Sequence, residues 1–146
     1  MDPISDFMTR HHKDCDAAFA RAEERAAAAD WPGLEREAAA FLAEMERHIG
    51  MEEDLLFPAF EERTGMQGGP TATMRMEHEQ MRGLFAQLRA ALEARDAARY
   101  LGASETLLIL LQQHNIKEES MMYPMLDQAL GEEAGQLLGQ LQSAAA

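Results

Sequence analysis

Four histidines and two glutamates carry the spacing from which chemistry can be read. His12 stands alone in the first part of the chain, and His48 follows with Glu52 four residues later; His78 and the pair His114/Glu118 restate the arrangement further on. On a helix, positions i and i+4 share a face with Cβ atoms about 5–6 Å apart, so an imidazole nitrogen and a carboxylate oxygen converge on one point. A lone core histidine is ordinarily a satisfied structural residue, and a single His/Glu pair is ordinarily a surface pair. The company of the acids departs from that. Met51, Leu55 and Leu56 surround Glu52 in the chain, and Ile116, Met121 and Met122 surround Glu118. A buried carboxylate is costly unless a cation or a metal accompanies it. Imidazole and carboxylate without thiolate select iron or manganese, with zinc as a substitute occupant. Six such ligands exceed the needs of one tetrahedral zinc. They suit two six-coordinate ions that share bridging carboxylates and keep positions open for water, oxo or a small ligand.

An internal repeat strengthens this reading. HIGMEEDLLFPAF (48–60) aligns with HNIKEESMMYPML (114–126) at an offset of 66 residues, matching both histidines, both Glu-Glu pairs and both prolines. The same offset pairs Met8 with Met74, His12 with His78, Phe19 with Phe85 and Asp30 with Asp96, without a gap. It also separates two neighbours. His12 falls on His78, whereas His11 falls on Glu77, so His12 is expected to face inward and His11 to lie on the surface.

The elements that must position these groups read as helices. Valine is absent, and Ala, Leu, Glu and Met dominate, which leaves little for strands. Apolar periodicity predicts helices over about 5–29, 31–63, 71–94 and 97–130, joined by short connections at Asp30-Trp31-Pro32-Gly33 and Asp96 and by a longer loop, TGMQGGP, at 64–70. Asp30 and Asp96 suit helix N-caps. An all-α, up-down-up-down four-helix bundle with pseudo-two-fold symmetry is expected over about 5–130, in one domain spanning 1–146. A short amphipathic C-terminal helix over 132–142, bearing Leu137, Leu138 and Leu141, should cover one end.

Composition excludes several classes. Asp and Glu number 26 against 13 Lys and Arg, a net charge of -13, so nucleic acid and anionic membranes are disfavoured partners. The longest run of large apolar residues, 107–111, is too short to cross a bilayer, and MDPISDFMTR lacks a basic-then-apolar signal pattern. The single cysteine, Cys15, excludes an internal disulfide and a thiolate-only metal site. A cytoplasmic chain is expected.

The pattern H … H-x-x-x-E … H … H-x-x-x-E, with E-E-x-x-x-[FY]-P after the second and fourth histidines, resembles the hemerythrin-like (HHE cation-binding) family over nearly the whole chain. The resemblance implies a non-haem di-iron centre, two iron ions with a bridging oxo or hydroxo group, for which Mn or Zn could substitute. It implies His12 and His48 on one iron, His78 and His114 on the other, and Glu52 and Glu118 bridging them. Oxygen-carrying members have a further histidine where this chain has Arg82. They also place an aspartate five residues after the last histidine, where this chain has Glu118 at four. One iron would therefore have a more open shell. That favours binding or sensing of O2, NO or peroxide, with a redox partner, over reversible oxygen carriage. Repair of iron–sulfur or nitrosylated centres, iron handling, and a purely structural metal-stapled bundle are the alternatives.

Residues beside the six have two readings each. Glu53 and Glu119 either orient histidines or are solvated, and Arg82 either pairs with a buried acid or reaches the surface. Core packing is the expected role of Tyr123, with a hydrogen bond near the centre as the alternative. Cys15 is expected as a small buried hydrophobe and the methionines as core filler. Pro58 and Pro124 should kink their helices just past the site.

Overall fold

The structure is a computed structural model that describes residues 2–145. Among these residues every regular element is helical, and the long ones form four stretches. α1 spans Pro3–Ala27 and α2 spans Trp31–Met51; after a five-residue turn the second stretch continues as α3, Phe57–Thr64. α4 spans Pro70–Ala94 and α5 spans Ala97–Lys117, and α6, Tyr123–Leu130, again follows a five-residue turn. A 3-10 turn at Gly131–Glu133 leads into α7, Ala134–Ala145.

The boundaries follow from local chemistry. The carboxylates of Asp30 and Asp96 accept from the backbone N–H of Gly33 and Arg99, each at 3.1 Å, and so satisfy otherwise orphaned donors. A Cβ at position 33 would run into the Asp30 carboxylate, which is why glycine stands there. Gly65 closes α3 in the left-handed conformation at φ 73°. Beyond it, Glu61 accepts from Thr71 Oγ1 at 2.7 Å and holds the start of α4. α7 buries Leu137 and Leu141, as expected of an amphipathic tail, and packs against α1 and α2.

The two proline motifs take a form that the sequence did not specify. Glu52–Leu56 and Glu118–Met122, just before Pro58 and Pro124, form π-helical turns that begin at the glutamates. Pro58 has no N–H to donate, and its ring crowds the preceding turn. The chain widens to accommodate it: the N–H of Phe57 reaches the carbonyl of Glu52, and that of Tyr123 reaches the carbonyl of Glu118. The ring five residues after each glutamate is thereby tied to the turn that carries it.

The core lies in two apolar layers. One gathers Cys15, Phe19, Phe41, Met45, Phe85 and Leu107; the other gathers Ile4, Met8, Phe57, Leu126 and Leu141 among its members. Residues after His12 share the first layer with residues before His48, and residues before His12 share the second with residues after Glu52. The polar groups fall between the layers.

Candidate metal centre

His12, His48, Glu52, His78, His114 and Glu118 are all buried, and both glutamates are fully so. They meet as two quartets with shared acids. In one, donor atoms of His12, His48, Glu52 and Glu118 all lie within 4.8 Å of one another; in the other, those of His78, His114, Glu52 and Glu118 do. The two oxygens of each carboxylate divide between the quartets. Glu52 turns Oε1 to His78 Nε2 at 2.9 Å and Oε2 to His48 Nε2 at 3.5 Å. Glu118 turns Oε1 to His12 Nε2 at 2.9 Å and Oε2 to His114 Nε2 at 3.1 Å.

All four imidazoles present Nε2 inward, because Nδ1 is engaged outside. His12 Nδ1 meets Glu119 at 2.7 Å, His78 Nδ1 meets Glu53 at 2.8 Å and His114 Nδ1 meets Glu77 at 2.7 Å. A carboxylate on Nδ1 fixes the tautomer that leaves Nε2 free as a ligand. Glu53 and Glu119 are therefore orienting groups. Arg82 reaches Glu53 at 3.0 Å, and Lys117 reaches Glu77 at 2.5 Å. These cations hold Glu53 and Glu77 below the usual carboxylate range, outweighing the upward push of burial.

The fourth imidazole corrects an expectation. His11 is buried rather than on the surface, and its Nδ1 lies 2.9 Å from His48 Nδ1. Burial and the facing His48 push its pKa down, so it stays neutral and accepts from His48 while its Nε2 donates to Glu44 at 3.1 Å. The offset of 66 residues that sets His11 against Glu77 thus pairs two residues that play the same part, since each occupies Nδ1 of the facing histidine. A second correction concerns the surroundings of Glu118. Ile116 and Met121 are exposed, and only Met122 of the three apolar neighbours is buried. Glu118 is instead met by His12 and His48 of other helices, by His114 four residues before it and by Tyr123 five residues after it.

Cys15 is buried as expected, its thiol 3.9 Å from His11. Burial, followed by nearby carboxylates led by Glu44, pushes that thiol up to about 12, so it remains protonated. Tyr123 is buried in the apolar layer as expected, yet its phenol oxygen reaches the centre. It donates to Glu52 Oε2 at 2.6 Å and lies 2.9 Å from Glu118 Oε1. The sequence signal was available in its place five residues after Glu118, but reading it required the wide turn.

Charge organises the site. Burial lowers the pKa of His48, but Glu52 and Glu118 overcome it and raise it to about 10. His114 is raised to about 9 against burial, by Glu118 first. Glu118 is drawn well below its usual range despite burial, by hydrogen bonds within the cluster. Imidazolium charge balances the acids where a cation would otherwise do so. Even so, Glu52 Oε1 and His78 Nε2, and likewise Glu118 Oε2 and His114 Nε2, face each other at 2.9 and 3.1 Å outside hydrogen-bond geometry, and none of these four buried atoms makes a hydrogen bond among the described residues. Unpaired buried donors and acceptors are costly and call for an explanation. The four are the inward atoms of one quartet, and a cation bound among them would satisfy all four together. The donor set therefore fits a metal.

Neither curated proteins nor solved structures yield a match to the chain. The family description "Hemerythrin HHE cation binding domain" matches residues 4–126, a span that holds all six inward residues. The chain belongs to the hemerythrin HHE cation-binding domain family.

Proposed function

We propose that the chain holds two iron ions, one per quartet, and binds a small ligand such as O2, NO or peroxide beside the His78/His114 pair. The observation that carries this is the division of each carboxylate: Glu52 and Glu118 send one oxygen to each histidine pair, as bridging ligands must. Imidazole and carboxylate donors favour iron or manganese, and zinc would be tolerated. Bound iron would supply one-electron chemistry and an affinity for diatomic ligands. The protein's part is to present four Nε2 atoms, keep the acids dry and neutralise them. The ligand is assigned to the His78/His114 side because Phe57, stacked on His78, offers no polar atom there, whereas the Tyr123 hydroxyl fills the corresponding place in the other quartet. Arg82 and Lys117 on the outer carboxylates of that side suit approach by an electron-rich ligand.

The same reading includes an up-down course for the four long stretches and descent of the halves from one helix pair. Support comes from the sharing of apolar layers across His12 and His48 and from the equivalence of residues 66 apart. A cytoplasmic setting accords with the lone thiol, and among the described residues no helix is long and apolar enough to cross a membrane.

Iron(II)-loaded protein prepared without oxygen and then exposed to air should develop new near-ultraviolet and visible absorption. A spectrum that stays featureless, together with two tightly held zinc ions, would instead support a structural metal staple.

A further inference from the structure

The phenol oxygen of Tyr123 occupies an unusual position. It lies 2.6 Å from Glu52 Oε2, 2.9 Å from Glu118 Oε1, 3.1 Å from His12 Nε2 and 3.3 Å from His48 Nε2. These are the four inward atoms of one quartet and of no other. A tyrosine buried for its ring needs one acceptor for its hydroxyl. This one has four polar neighbours, all of them candidate metal ligands.

The spacing has a direct reading. In an octahedral shell with bonds of about 2.1 Å, adjacent donors lie about 3.0 Å apart. The Tyr123 oxygen lies between 2.6 and 3.3 Å from every donor of the His12/His48 quartet, a range around that separation. The geometry points to Tyr123 as a fifth protein ligand, a phenolate oxygen donor, to the metal held by His12, His48, Glu52 and Glu118. This rests on the two-metal reading above and adds a ligand to it. On binding, the phenol O–H bond breaks, its electron pair goes to the metal, and the proton leaves to solvent.

The other half supports the assignment by contrast. Phe57 stands 66 residues before Tyr123, ties to Glu52 through the same wide turn, and stacks on His78 with centroids 5.7 Å apart and planes at 15°. It has no oxygen to offer, and the inward atoms of its quartet meet only as the pairs Glu52–His78 and Glu118–His114, outside hydrogen-bond geometry. The two ions would then be unequal: five protein donors on one side and four on the other.

A phenolate bound to iron(III) gives a visible charge-transfer band and enhanced phenolate ring modes under resonance excitation, which imidazole and carboxylate ligands do not. The test loads the full chain with iron(II) without oxygen, oxidises it with ferricyanide, and compares wild type with Tyr123→Phe. Tyr123→Phe removes only the hydroxyl and keeps the buried ring, so the variant should fold. Wild type is expected to hold two irons per chain and show the band and ring modes, with both lost in Tyr123→Phe. Two irons in both proteins with no phenolate signature in wild type would overturn the ligand assignment and leave the two-metal reading standing. One iron in wild type rising to two in Tyr123→Phe would show that the phenol excludes a metal instead of binding it, again overturning the assignment. No iron in either would overturn both.

Discussion

The half of the centre built on His12 and His48 and the half built on His78 and His114 share a frame and differ in what surrounds it. Both present two imidazoles and one oxygen from each of the shared acids, Glu52 and Glu118. Around His78 and His114 the outer groups are Glu53 and Glu77, each matched by a cation, Arg82 and Lys117. Around His12 and His48 they are Glu119 and the neutral His11. Asp16 sits where the offset places Arg82, its carboxyl pushed up by burial and then, against His12, by Glu119. Inside, Tyr123 faces one half and Phe57 the other. The two quartets thus keep the same inward donors while three or four surrounding positions make them chemically unequal: the Tyr123 hydroxyl faces one, and on the proposed reading the other is left for a ligand.

The largest expected effect falls on both halves at once. In the double variant Glu52→Ala/Glu118→Ala, metal analysis should find the two ions lost together, because each acid serves both sides; retention of one ion would show that the halves are independent. Next comes the closed-versus-open contrast. Phe57→Tyr should carry a hydroxyl into the His78/His114 half and weaken binding of azide or NO, used as probes, by about tenfold or more, which is about 1.4 kcal/mol or more. An unchanged affinity would place the ligand elsewhere.

Smaller effects should separate the outer groups. Removing an orienting partner of a ligating histidine typically costs about 10–100-fold in metal affinity. Glu77→Ala should sit at the upper end, since it removes a carboxylate held by Lys117, and His11→Ala at the lower, since it removes a neutral acceptor. Chelator competition against the two variants would measure the gap, and a reversed order would contradict the roles given to His11 and Glu77.

The metal-free chain should also respond to pH with a definite sign. His48 and His114 are raised from 6.5 to about 10 and about 9. Their stabilising contribution is complete below about pH 6.5 and is lost as pH rises through 9–10. Glu118, Glu53 and Glu77 are lowered from 4.5, so theirs is present above that value and is lost on acidification below it. Thermal melts of the metal-free protein should therefore peak between these limits and fall toward pH 10. Metal uptake should strengthen over the same alkaline range, because His48 and His114 must shed protons to bind. The smallest effect lies outside the comparison: Asp30→Ala should cost about 1 kcal/mol of stability through loss of the cap, with metal content unchanged.

The sequence made the helical class and the six inward residues legible for a definite reason. Spacing of i, i+4 and an offset of 66 residues are properties of the chain itself, and Asp30 and Asp96 marked helix starts by their own chemistry. What escaped depended on partners remote in the chain. Whether His11 was buried turned on Glu44 and His48, 33 and 37 residues away by number. The offset against Glu77 looked like a mismatch only because residue type was compared, not the hydrogen bond each could make. Tyr123 was placed in the core correctly, but the reach of its hydroxyl depended on the π-turn before Pro124, which a helical wheel does not contain. The exposure of Ile116 and Met121 teaches the same lesson in reverse, since only Met122 of the three apolar neighbours turns inward with Glu118.

The sharing of Glu52 and Glu118 between two ions is tested most directly by Mössbauer and EPR spectroscopy of the protein loaded with ⁵⁷Fe and fully oxidised. Two irons per chain, two distinguishable quadrupole doublets and no signal from isolated iron(III) are expected, since acids common to both ions couple their spins and unequal surroundings separate their spectra. A single iron, or two that give the EPR signal of uncoupled iron(III), would contradict it.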